Sequence, residues 1–198
     1  MKRFLILLIL STLQLMVCGN NSNKGVLINE VIWATCNVDL FGTFAASPEV
    51  SGMLYQWNRS KAWSTTDESV AEWDPSTPTG DSWEASNDPC PAGWRLPTKK
   101  EQEKLLDTDK VSSEWVTLNG VRGRKFTDKV TGGSIFLPAA GFRYLNAGLS
   151  DGEGSFGQYW SSSPNTSYYA WSLFITSSNI GQSSVNRQSG YSIRCVLQ

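Results

Sequence analysis

Between Tyr159 and Val196 the chain carries only two charged residues, Arg187 and Arg194, and is otherwise crowded with Ser, Asn, Gln, Tyr and Trp. The stretch reads as three or four short strands: Tyr159–Ser162, Ala170–Thr176, Gln182–Val185 and Ser192–Val196. The turn Ser177-Ser178-Asn179-Ile180-Gly181 joins two of them. Tyr and Trp give large contact area at low entropic cost, and Ser and Asn give adaptable hydrogen bonds. That is the composition of a surface made to touch a ligand rather than to react with it.

The rest of the chain is strand-rich as well. Gly25–Asp39 and Met53–Trp57 read as extended segments. Asn119-Gly120 between Leu118 and Val121 predicts a hairpin, and Thr131-Gly132-Gly133 predicts a turn between strands at 124–128 and 134–138. Helix signals converge at one place. Thr98 is an N-cap and Glu101 completes a capping box, with Leu105 and Leu106 facing the core. Residues 60–89 form a long irregular loop with Trp63, Trp73 and Trp83. These three either pin the loop to the domain or offer a stacking platform.

The chain has no His, which excludes Ser–His–Asp and Cys–His catalysis and histidine-based zinc or iron sites. No residue spacing suggests a metal site, and no cofactor is expected. Acidic and basic residues nearly balance and no basic patch stands out, so nucleic acid is not an expected partner. Glu101 and Glu103 read as exposed helix carboxylates rather than catalytic groups.

Met1-Lys2-Arg3 followed by the apolar run Phe4–Val17 reads as an export signal over residues 1–18, too short for a spanning helix of roughly 20 residues. Cys18 and the polar tether 19–24 resemble a bacterial lipoprotein signal, although Val17 stands where a small residue is usual. The expected product is an outer-membrane or surface lipoprotein anchored only by its N-terminal lipid; the alternative is a periplasmic or secreted protein. Residues 25–198 form the folded domain, expected to be a monomer. In an oxidising compartment one disulfide is expected, with Cys36–Cys90 favoured and Cys90–Cys195 the rival.

Cys90-Pro91-Ala92-Gly93-Trp94-Arg95-Leu96-Pro97-Thr98 with Glu101 resembles the core motif of the Fibrobacter succinogenes major paralogous domain family. Gly190-Tyr191-Ser192-Ile193-Arg194-Cys195-Val196 resembles its closing motif. Phe136–Arg143, Tyr159-Trp160-Ser161-Ser162 and the opening Trp33–Val38, as in gut-bacterial members, match in order. The family is similar in fold to C-type lectins and formylglycine-generating enzymes. The resemblance implies an α+β, C-type-lectin-like domain with twisted antiparallel sheets, one or two helices and long loops. The tail also resembles the variable region of retroelement-diversified proteins, with Trp160, Ser161, Ser162, Arg187, Gly190 and Arg194 as framework. The changeable positions would be Ser167, Tyr168, Tyr169, Ser172, Phe174, Thr176, Ser178, Asn179, Gln182, Ser183 and Ser184.

With Asn165 and Trp171 added, those positions form the expected ligand face, although strand alternation would turn Trp171 inward. The expected function is non-catalytic recognition of a glycan or protein ligand. An enzyme of formylglycine-generating type, or a structural subunit of a surface assembly, are the alternatives. The calcium motifs of lectins are absent, and the tail has no carboxylates to hold a hard cation. Copper chemistry would need a second cysteine near Cys195, and none lies near it in sequence.

Overall fold

The structure is a computed structural model that describes residues 25–150 and 152–198. The export signal over 1–18, the lipidation site Cys18 and the tether 19–24 lie outside the described residues. The elements run β1 (Val26–Ile28), β2 (Val31–Trp33), β3 (Leu54–Gln56), β4 (Ala62–Trp63), β5 (Trp94–Arg95) and α1 (Lys99–Leu105). They continue β6 (Val111–Leu118), β7 (Val121–Asp128), β8 (Ser134–Pro138), β9 (Phe156–Pro164), β10 (Tyr169–Thr176), β11 (Ile180–Asn186), β12 (Gly190–Tyr191) and β13 (Val196–Leu197). One 3-10 turn, Ala85–Asn87, lies in the long loop.

Local sequence explains the elements. Asn29 and Glu30, with φ 43° and 67°, make the tight β1–β2 turn, and Asn119 and Gly120, with φ 47° and 87°, make the β6–β7 turn. Thr98 caps α1 through Oγ1 to the Glu101 amide, and Glu101 returns a carboxylate oxygen to the Thr98 amide. Leu105 is buried and Leu106 packs against the same core.

The strands pair into four small sheets, ordered β1-β2-β13-β5, β11-β10-β9, β12-β3-β4 and β6-β7-β8, and all their strand pairs are antiparallel. The C-terminal β13 is inserted between the N-terminal hairpin and β5, so the two ends of the domain close on each other. Cys195 and Val196 point to opposite sides of that insertion. Cys195 joins a core with Trp57, Trp94, Trp160 and Tyr191, while Val196 joins one with Trp33, Phe126, Leu173 and Ile175. Trp33, Trp57 and Trp160 are almost completely buried. Truncating any of them to Ala is expected to cost about 3–5 kcal/mol.

Two expectations are corrected here. The C-type-lectin-like α+β class does not hold: one seven-residue α-helix accompanies thirteen strands among the described residues, which makes the fold mostly β. Only the segment after Thr98 combines a capping box with a core-facing leucine pair. The other apolar runs are short and bounded by Gly and Asn turns. A disulfide joins Cys90 to Cys195, so the Cys36–Cys90 pairing does not hold. Pairing of β5 with β13 brings the cysteines that flank those two strands together across a sequence separation of 105, and Cys36 takes no part in that bond.

Candidate functional site

The two motifs that carried the family resemblance form one structural unit. Trp94 and Arg95 pair with Leu197 and Val196, and the disulfide ties Cys90 to Cys195 beside them. The Asp88 carboxylate accepts the Cys90 and Leu96 amides, at 2.9 and 3.1 Å. Arg95 donates to both oxygens of Glu101 at 2.9 and 2.6 Å. Burial opposes ionisation of Glu101, but the Arg95 guanidinium and the Thr98 amide and hydroxyl outweigh it and lower its pKa to about 2. These groups are scaffold. Cys195 is fully buried and committed to its disulfide, so it presents no free thiol.

Arg143, Arg187 and Arg194 are almost completely buried, and among the described residues none has a carboxylate within ion-pair distance. Each instead donates chiefly to loop carbonyls. Arg194 reaches the carbonyls of Ala34, Thr35 and Phe136 and the Asn37 side-chain oxygen. Arg143 donates to the Ser64, Asp67 and Ala147 carbonyls. Arg187 donates to the carbonyls of Pro78, Gly80, Thr166 and Tyr169. Burial lowers the pKa of all three guanidiniums. Carbonyl dipoles pointed at each one offset that cost. Arg187 and Arg194 were legible from the sequence only as framework positions, and their role as clamps on distant loops was not.

Arg143 and Arg187 between them fasten the irregular loop 60–89, and its tryptophans complete the attachment. Trp63 and Trp83 are buried, and Trp83 meets Trp57 edge-on at 5.6 Å. The half-buried Trp73 tilts against Trp63 at 5.0 Å and donates its indole N–H to the Leu145 carbonyl.

The expected ligand face is divided by the β9–β10–β11 sheet. Trp171, Gln182 and Ser184 lie on the side of α1. The Lys99 ammonium sits 3.9 Å from the Trp171 ring centroid, and Gln182 donates to the Lys99 carbonyl. Ser172, Phe174 and Ser183 lie on the other side, where Gln158 donates to both Ser172 and Ser183 at 2.8 and 2.9 Å. Ser172 is fully buried in that network, which corrects its expected place on the surface. Phe174 is half-buried across Gly181. Thr176, Ser178 and Asn179 belong to the β10–β11 turn, one strand length from the β9–β10 turn, roughly 25 Å away at 3.3 Å per residue.

Four predicted positions stay together and exposed at the β9–β10 turn: Asn165, Ser167, Tyr168 and Tyr169. Tyr168 is 60% exposed and Tyr169 45%. The turn is held from within. The Asn165 and Thr166 amides both donate to the Tyr169 carbonyl, and the Thr166 hydroxyl accepts the Tyr168 and Tyr169 amides. Asn165 also donates to Ser184 Oγ at 2.7 Å. Since Arg187 binds the carbonyls of Thr166 and Tyr169 together with those of Pro78 and Gly80, the turn and the Trp-rich loop are anchored to one guanidinium.

Sequence reasoning did not anticipate two clefts. One, of about 340 Å³, is lined by Pro48, Val116, Leu118, Ile135 and Phe136, with the Lys125–Glu114 pair also on its wall. The other, of about 320 Å³, is polar and lined by Asn58, Arg59, Lys61, Trp63, Glu72 and Asp74, whose charged groups already pair with one another. Exposed Tyr144 and Leu145 were missed too; their place just before the Gly-rich stretch 146–157 was the available signal. Among the described residues no group of three or more His, Cys, Asp or Glu side chains is placed to hold a metal ion.

No curated protein and no solved structure matches this chain. The family model described as the Fibrobacter succinogenes major domain matches residues 26–197, from β1 to β13. The clamped arginines, the β5–β13 closure and the Cys90–Cys195 bond all fall within that span, and the chain belongs to the Fibrobacter succinogenes major domain family.

Proposed function

We propose that the protein is an exported, surface-associated binding protein that recognises a glycan or protein ligand without chemistry, through the turn Asn165–Tyr169. The observation that carries this reading is the pair of exposed tyrosines on a turn fixed from below by buried Arg187. Two large aromatic rings side by side in water on a fixed backbone offer a partner apolar area to cover. Aromatic faces stack on sugar rings or apolar side chains, and the neighbouring Asn165 and Ser167 supply short polar contacts. A fixed turn lowers the entropy lost on binding, because the backbone that carries the rings is already ordered.

The test is a glycan and protein binding screen with the purified protein, repeated on Tyr168→Ala/Tyr169→Ala. Loss of the captured ligand, with the melting temperature within about 2 °C of wild type, is expected, since exposed positions contribute little to stability. Unchanged binding by the double variant overturns the assignment to this turn.

A further inference from the structure

The sheet β11-β10-β9 ends on β11, and among the described residues no strand pairs with that edge. The Thr176 amide donates to the Asn179 carbonyl at 2.8 Å, which fixes the phase of the β10–β11 ladder. Odd-numbered residues of β11 therefore bond to β10, and the even-numbered ones turn their backbone groups outward. Ile180 and Asn186 are satisfied in part by local bonds, Ile180 N–H to Asn179 Oδ1 and Asn186 C=O from the Ser189 amide. The outward N–H and C=O of Gln182 and Ser184 have no partner among the described residues.

Sheet edges are normally blunted by charge, proline, a bulge or a covering element. β11, Ile-Gly-Gln-Ser-Ser-Val-Asn, has neither a charged residue nor a proline, and its register with β10 is unbroken over seven pairs. The other long outer strand, β6, carries Glu114. On the far side of this sheet β9 is covered, because its backbone bonds to Ser192 and Pro97. On the α1 side Lys99, whose carbonyl accepts from Gln182, has its ammonium drawn over Trp171 and paired with Glu103 at 3.3 Å.

We infer that β11 is a self-pairing edge and that its occupant is β11 of a second copy, antiparallel about a two-fold axis at Ser183. That register sets Gln182 opposite Ser184 of the other copy, and the reverse, so the unpartnered groups are used in two hydrogen-bonded pairs. Ser183 then faces Ser183, Gly181 faces Val185 and Ile180 faces Asn186. No like charges meet, as an isologous pair requires. The two sheets become one six-stranded sheet with the tyrosine turns left uncovered. This inference does not rest on the ligand reading, since it uses only the backbone groups of β11; the ligand turn touches the paired residues through the Asn165–Ser184 side-chain bond, and Ser183→Cys leaves that bond in place.

Sedimentation equilibrium of the purified full chain tests it. The contact is smaller than a standard interface, so half-dimerisation is expected between about 10 μM and 1 mM. Ser184→Pro, which removes an outward N–H and leaves the β10 ladder intact, is expected to abolish the dimer at unchanged helix and strand content. Under mild oxidation Ser183→Cys is expected to form a disulfide-linked dimer, because facing residues of a non-hydrogen-bonded pair lie within disulfide reach. Ser184→Cys is expected not to, because its counterpart is offset diagonally. A wild-type chain that stays monomeric to about 1 mM overturns the proposal. So does a dimer indifferent to Ser184→Pro, or cross-linking through position 184 as readily as through 183.

Discussion

The guanidinium carbon of Arg187 lies 4.0 Å from the centroid of the Trp57 ring. One face of the cation is thus covered by an indole buried between the long loop and the tail, while its N–H groups bind carbonyls from both. A planar, delocalised cation can stack and donate in its plane at once, and an ammonium cannot. Arg187→Lys is therefore expected to lose about 2–4 kcal/mol of stability, because carbonyls are left unpaired in the interior. Hydrogen exchange should accelerate at Thr79, Gly80 and residues 166–169 together. Arg143→Lys should loosen residues 64–67 and leave the tyrosine turn protected.

Cys90 and Cys195 join the motif before α1 to the strand that closes the domain. A cross-link spanning 105 residues restricts the unfolded chain strongly. Cys90→Ala/Cys195→Ala is expected to lower the unfolding free energy by about 4–5 kcal/mol in urea titration.

Glu101 links stability to pH. Its folded-state pKa lies at about 2 against an ordinary 4.5, so its carboxylate stabilises the native state above pH 4.5. That contribution is lost as pH falls from 4.5 to about 2. Glu101→Gln is expected to be about 1–2 kcal/mol less stable at neutral pH, because Arg95 and the Thr98 amide lose a charged acceptor. In the same acid window its stability should fall less steeply than that of wild type, as read from melting temperature against pH.

Gly123 sits in β7 where the Phe136 ring and the Leu137 carbonyl crowd its α-carbon. A β-carbon there would lie 2.2 Å from that oxygen and 2.6 Å from the ring. Backbone cannot yield as a flexible side chain can, so Gly123→Ala is expected to cost about 2–4 kcal/mol. Gly120→Ala in the neighbouring turn meets no atom, and its cost, about 1 kcal/mol, comes from its left-handed backbone alone. Comparing the two melting temperatures separates crowding from backbone conformation.

What could be read from the sequence was local. The capping box from Thr98 to Glu101 spans four residues, and the turns at Asn119-Gly120 and Thr131–Gly133 span fewer, so composition alone specifies them. Each forms where expected. The ordered motifs from Trp33 to Val196 likewise fixed the family, because a family match needs only the order of residues along the chain.

Tertiary structure decided everything that depended on pairing between distant segments. It assigned Cys195 rather than Cys36 to Cys90, through the insertion of β13 beside β5. It divided one run of candidate residues between two sides of a sheet, because alternation along β10 sends Trp171 and Ser172 in opposite directions. It also gave three arginines their purpose. Arg143, Arg187 and Arg194 are each buried where carbonyls from distant segments converge, and such convergence exists only once the chain has folded. The sequence placed a run of aromatic and short polar side chains in the tail; the fold decided that Tyr168 and Tyr169 stand exposed while Ser172 is closed within.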